Sequence, residues 1–332
     1  MIDGASKKDS HTSLLWTRVA GHLWTAGPSL FYGKMPPGGS QGRRWSTEVT
    51  NEFGEPILHT GAFCDADDGD GTNLVVVLHG LGGTVHRGYC LLAAAAARQS
   101  KLPCLRLALR GADGVGRDIH HAGFVDDLQR ILRQKPWDRY ERIALVGYSL
   151  GGHVALTAAT RQIDERLAAV AAVCPPLNLA ACQQRIDAPW SWVYRHHLLQ
   201  GLKRSYRTIA QGRAAPTPND RVQMVKTLRE WDSLTVVPRF GFADVDEYYA
   251  TQSVGPRLVD LQSPSLVVAS PGDPIVPAES LRGPLARASS SLTVRWIPGG
   301  GHVFFPPGVD MGFGGAAGLE GQIMAWLRRQ LS

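Results

Sequence analysis

Long apolar runs are missing from this chain of 332 residues. No segment approaches the roughly 18 apolar residues that cross a bilayer. The longest candidates, CLLAAAAA and LAAVAAVC, have the size of a helix or a strand. The N-terminal stretch MIDGASKKDSHTSLLW carries lysines without the apolar centre of a signal peptide, so none is expected. Cysteine is scarce as well. Cys64, Cys90, Cys104, Cys174 and Cys182 are odd in number and show no C-x-x-C spacing, which argues against a disulfide framework or a zinc site. That usage suits a reducing cytoplasm. The net charge of +6 is modest, and its basic residues are spread out, with one loose cluster in LKRSYRTIAQGR. Nucleic-acid binding would need a concentrated basic stripe or a reading motif, and the sequence has neither. The excess charge is expected on a solvated surface. A weak contact of Lys203, Arg204 and Arg207 with an anionic membrane surface is the alternative.

What the sequence does contain is alternation. Residues 1–44 are irregular and rich in Gly, Pro and Ser, the composition of a partly ordered arm. RWSTEVTN and PILHTGAF, joined through EFGE, predict an antiparallel hairpin. NLVVVLHG is a continuous β-branched run, as found in strands buried on both faces of a parallel sheet. Helix and strand then alternate. YCLLAAAAARQS, FVDDLQRILRQ and GGHVALTAATRQ are the helices, and PCLRLAL, RIALVGY and LAAVAAVC the strands. This spacing implies right-handed crossovers and a mostly parallel sheet flanked by helices. The pattern breaks at Pro175. Residues 178–260 are expected to form a helical cap inserted after the sixth strand, from segments such as APWSWVYRHHLLQGL, RVQMVKTLREW and VDEYYATQS. PSLVVAS, SLTVRWI and the helix GLEGQIMAWLRRQL close the chain. The core is therefore assigned to residues 45–177 and 261–332.

The chemistry is expected at the strand ends. In ALVGYSLGGHVAL, Ser149 follows a buried strand and opens an Ala-rich helix, with Gly147 and Gly151 keeping the turn free of bulk and Gly152 easing helix-on-sheet packing. With 37 glycines the pentapeptide alone is weak; its strand and helix give it meaning as a nucleophile elbow. A serine hydroxyl needs a base. His302, in IPGGGHVFF, lies just after the last strand in a glycine loop that lets an imidazole swing toward the elbow. Asp273, in VVASPGDPIVP, follows the seventh strand and is the acid that orients the imidazole. The plain alternatives are a surface histidine and an Asp making an Asx-turn before Pro274. The order Ser149, Asp273, His302 is the one expected of an α/β-hydrolase. The N–H of Leu150 and that of Leu81, in a loop loosened by Gly80, Gly82 and Gly83, are the expected oxyanion donors. His79 buttresses that loop without titrating.

On these residues the chain resembles the α/β-hydrolase fold superfamily over roughly residues 45–332, and within it the YheT-like esterase and hydrolase family. GHLWT (21–25), HGLGG (79–83), LRG (109–111), HHAGFVDD (120–127), GYSLGG, CPPLNLAAC (174–182), VYRHHL (193–198), FGFADVDEYY (240–249), GDPIVP and GGGHV carry the likeness. Trp24 stands where that family more often has glutamine. The resemblance implies a serine hydrolase without cofactor or metal, acting on a small-molecule or lipid-like ester. Thioester, phospholipid and peptide substrates share such a triad, and a non-catalytic binding scaffold is the alternative of another class. His121, Gly123 and Asp127 also match a family pattern. Physically, Gly123 permits a turn and Asp127 sits near a positive helix end. The aromatic side chains Trp190, Trp192, Tyr194, Phe240, Phe242, Tyr248 and Tyr249 are expected to be core more than pocket.

Overall fold

The apolar runs become the strands of one sheet. The computed structural model describes residues 17–25, 27, 42–66, 71–212 and 214–332. Among them β1 (Arg43–Thr50), β2 (Pro56–Cys64), β3 (Asn73–Leu78), β4 (Cys104–Leu107), β5 (Arg142–Tyr148), β6 (Leu167–Val173), β7 (Ser265–Ala269) and β8 (Leu292–Trp296) pair in the order β1-β2-β4-β3-β5-β6-β7-β8. β1 and β2 are the expected hairpin, and β2 meets β4 antiparallel. All later pairings are parallel. This is an α/β-hydrolase fold.

Strand alternation explains why β3 is apolar at every position. Leu74, Val76 and Leu78 enter the core on one face, and Val75 and Val77 enter a second core on the other. Each such side chain, fully buried, contributes about 1.5–3 kcal/mol. Helices α3 (Asp126–Leu132), α4 (Leu150–Arg161) and α11 (Ala278–Ala286) cover the first face. Helices α2 (Gly88–Gln99) and α12 (Leu319–Leu331) cover the second.

Between β6 and β7 the chain is helical: α5 (Leu179–Asp187), α6 (Trp192–Ile209), α7 (Asn219–Gln223), α8 (Leu228–Leu234), α9 (Val236–Phe240) and α10 (Val245–Gln252). RVQMVKTLREW is divided between α7 and α8. Thr227 and Glu230 form a capping box, each side chain accepting from the other's backbone N–H, and this starts α8 afresh. The insertion rests on loops at the strands' C-terminal ends. Gly201 of α6 meets Gly82 so closely that a Cβ at Gly201 would lie 2.7 Å from the Gly82 carbonyl oxygen. The Tyr248 hydroxyl accepts from the Ala122 N–H at 3.0 Å.

The expectation of an irregular arm over residues 1–44 falls largely outside the described residues. Residues 17–25 form a helix, α1, and β1 already begins at Arg43.

Candidate active site

The turn from β5 into α4 holds Ser149 at φ 54° and ψ −120°, a left-handed conformation that costs a non-glycine residue on the order of 1–3 kcal/mol. Its N–H is tied to the Val173 carbonyl at 2.8 Å. The flanking glycines are required by contact. A Cβ on Gly147 would strike the Gly151 backbone, and one on Gly151 the Leu78 carbonyl oxygen. The strain is thus imposed by the strand before and the helix after. Ser149 is half-buried at the sheet's C-terminal edge.

The loop after β3 lies directly over it. A Cβ on Gly80 would sit 3.2 Å from Ser149 Cβ. The Gly80 N–H donates to the Tyr89 hydroxyl at 3.1 Å, and a turn closes from the Gly83 N–H to the Gly80 carbonyl at 3.0 Å. Leu150 is the first residue of α4, where an N–H has no acceptor within its own helix. Among the described residues, neither the Leu150 nor the Leu81 N–H donates to another backbone group outside regular structure. His79 holds the loop from beneath. Its Nε2 accepts from the Leu109 N–H at 3.1 Å, so Nδ1 carries the proton given to the Gly80 carbonyl at 2.8 Å. Burial lowers its pKa to about 4, leaving a neutral strut.

Asp273 does both things the sequence allowed. Oδ1 accepts from the Ile275 and Val276 N–H groups at 2.8 and 3.0 Å, as in an Asx-turn. Oδ2 faces His302 Nδ1 at 2.8 Å. Both residues are buried. The two loops are tied again where the Ser270 hydroxyl donates to the Gly300 carbonyl at 2.5 Å. The glycine loop does not leave His302 free to swing: its backbone N–H donates to Thr25 Oγ1 at 2.7 Å. With Nδ1 engaged, Nε2 remains for a hydroxyl. Among the described residues no hydrogen bond joins Ser149 Oγ to His302. Such contacts are often long without substrate and tighten on binding. The arrangement therefore holds an Asp–His pair in fixed order at the same edge of the sheet as the strained serine.

One other group enters this cluster. Cys174, Asp273 and His302 each place a potential ligand atom within 4.8 Å of the others. Burial, aided by the Asp273 charge, pushes the Cys174 thiol well up, so it stays protonated. A neutral thiol and an imidazole already bonded to a carboxylate make a poor metal site.

Further from the serine, the structure adds to two expectations. Gly123 lies in the expected turn, without a positive φ, and a Cβ there would meet the Gln252 side chain at the end of α10. Asp127 does more than favour a helix end. It grips Arg110 in a two-pronged pair at 2.7 Å on each oxygen and lies 3.3 Å from His59 Nε2. Burial opposes its charge, but Arg110 and then His59 hold its carboxyl well below the usual range. Arg110 also bonds Asp118 at 2.8 Å, and Asp118 accepts from Arg239 of α9 at 2.8 Å. This network, not foreseen from sequence, fastens the insertion to the sheet. His121 is packed edge-on against Phe240, ring centres 4.5 Å apart, with Phe242 and Tyr248 beyond. Burial lowers its pKa to about 3. Tyr248 and Tyr249 are core as expected, whereas Trp190 and Trp192 are 71% and 63% exposed.

The sequence model of the Alpha/beta hydrolase family matches residues 75–308. YheT of Escherichia coli (strain K12), an esterase by name only, is 28% identical over 77% of this chain and 77% of its own. Medium-chain fatty acid ethyl ester synthase/esterase 2 of Saccharomyces cerevisiae is 26% identical over 61% of this chain and 51% of its own. Esterase Pf2001 of Pyrococcus furiosus superposes with a TM-score of 0.53 at 15% identity, over 82% of this chain and 88% of that one, a likeness of fold.

Proposed function

We propose, for a chain that belongs to the Alpha/beta hydrolase family, the hydrolysis of carboxylic esters through an acyl-enzyme on Ser149, with His302 as base and Asp273 as acid. The observation that carries this reading is the buried 2.8 Å contact between Asp273 Oδ2 and His302 Nδ1, which leaves Nε2 for the hydroxyl on the elbow. A non-catalytic scaffold has no need of a buried, oriented imidazole and a strained serine at one edge of the sheet. The names of the two sequence relatives favour an ester substrate, small or lipid-like.

In this mechanism His302 Nε2 takes the Ser149 proton as Oγ attacks the ester carbonyl, and Asp273 stabilises the resulting imidazolium. The oxyanion rests on the Leu81 and Leu150 N–H groups, each worth about 3–4 kcal/mol to the transition state. Collapse expels the alcohol, which leaves with the proton from His302. Water then adds to the acyl carbon, giving its proton to His302, and Oγ departs with that proton as the acid is released. No cofactor is needed. Residues 178–260 act as a cap over the core of 45–177 and 261–332. The five cysteines, all buried and odd in number, fit a cytoplasmic setting.

Ser149→Ala is expected to lower p-nitrophenyl ester turnover by about 10⁴-fold or more while leaving the melting curve unchanged. A fluorophosphonate probe should label the parent at Ser149 and leave the variant unlabelled. Undiminished turnover in the variant would end this assignment.

A further inference from the structure

We propose that α1 is part of the active site, with Thr25 as a positioning residue for His302. The inference rests on the esterase reading above, because it concerns the same histidine. GHLWT, the segment the mechanism leaves unused, supplies the contacts.

The Thr25 hydroxyl is buried and both accepts and donates. It accepts the His302 N–H at 2.7 Å and donates its own proton to the Gly21 carbonyl one helical turn back, also at 2.7 Å. The seat around it is steric as well as polar. Gly301 precedes the base, and a Cβ there would lie 2.6 Å from Gly21 O, 2.6 Å from Thr25 N and 2.7 Å from Thr25 Oγ1. Gly272 precedes the acid, and a Cβ there would strike the Thr17 carbonyl oxygen; one on Gly21 would strike that of Gly272. The helix thus touches, backbone against backbone, the residue just before the acid and the residue just before the base.

A third contact reaches the insertion. His22 Nδ1 and the Tyr194 hydroxyl of α6 are 2.8 Å apart, and their rings stack at 5.8 Å. Acid loop, base loop and α6 therefore meet on one short helix outside the stretch matched by the family model. The physical need is plain. His302 follows three consecutive glycines, Gly299 to Gly301, the freest backbone a chain can have. Asp273 orients the ring, while Thr25 and the glycine contacts fix the backbone that carries it. An imidazole displaced by about 1 Å costs on the order of 10²-fold in rate.

The test uses the full chain and p-nitrophenyl butyrate. Thr25→Val keeps the shape and removes the acceptor, Thr25→Ala removes it without any added bulk, and Thr25→Ser keeps it. The two variants without a hydroxyl should lose about 10- to 100-fold in kcat with KM nearly unchanged, and Thr25→Ser should recover most of the loss. Since one of the first two could melt early, the kcat of whichever keeps the parental melting curve is decisive. Parental kcat in that variant, a change in KM alone, or an equal loss in Thr25→Ser would overturn the inference while the inactivity of Ser149→Ala left the esterase reading standing. Turnover by Ser149→Ala would instead remove that reading, and this inference with it.

Discussion

Both nitrogens of His79 are occupied, one accepting from the Leu109 N–H and one donating to the Gly80 carbonyl. Removing the ring strands the buried Leu109 N–H and takes one of two donors from the Gly80 carbonyl, so His79→Ala should cost about 1–3 kcal/mol in a urea titration. It should also lower kcat, because the Leu81 amide loses its support. The pH dependence should not follow. With a pKa of about 4, this residue is already neutral where an esterase is assayed. The kcat/KM profile above about pH 5 is therefore expected to keep its shape in the variant, which a pH series on a soluble ester would check. Ser149 shows the complementary case. Its strained backbone is dictated by contacts at Gly147 and Gly151 that the pattern G-Y-S-L-G already encodes.

At the level of elements, the insertion is joined to the sheet by charge and by rings. Arg110 is wholly buried, paired with Asp127 and Asp118, and stacked over Phe124 with its guanidinium carbon 4.3 Å from the ring centre. Asp118 passes the connection to Arg239 on α9. Removing Asp127 takes the two-pronged partner from Arg110 and leaves it Asp118 and Glu52, so Asp127→Ala should destabilise by about 2–3 kcal/mol in chemical denaturation. Loss of grip on His59 and α3 should accompany it. Helix α8 is similarly anchored from outside: Asp187 of α5 accepts from the Leu228 and Arg229 N–H groups at 2.8 and 3.1 Å, supplementing the Thr227 cap. The aromatic cluster around His121 then fills the seam between insertion and sheet.

Over the whole molecule, the titration of a single buried carboxyl gives a stability signature. Asp232 in α8 is buried and accepts from the Tyr249 hydroxyl at 2.6 Å. Burial raises its pKa from 3.8 to about 7, with the Asp187 charge adding and the Tyr249 bond opposing. A carboxyl whose folded pKa is raised favours folding while protonated. That contribution is complete below its ordinary value and is lost as the pH rises to about 7. Asp232→Asn keeps an acceptor for Tyr249 without titrating. Its melting temperature should exceed the parent's by a few degrees at pH 8, with the gap closing as the pH falls from about 7 towards 4. A gap of equal size at both ends would mean that the site does not disfavour the charged carboxylate.

The sheet was legible in the residues because a strand buried on both faces must be apolar throughout, and NLVVVL, RIALVGY and LAAVAAV are. The turn at Ser149 was legible because its glycines lie within two residues of it, and the meeting of Asp273 with His302 because strand ends mark where loops must converge. What came only with tertiary structure rests on contacts between residues far apart in the chain, which no local pattern records. Thr25 and His302 are 277 residues apart. The Gly123 turn is met by the end of α10, where a Cβ would crowd the Gln252 side chain. Arg110 finds its acids on separate loops, and RVQMVKTLREW breaks where a side-chain cap outweighs helical periodicity. Short-range sterics and the burial of apolar surface therefore determine the scaffold and its serine turn from sequence alone. The seat of the histidine and the fastening of the insertion depend on backbone groups and buried charges that meet only once the chain has closed upon itself.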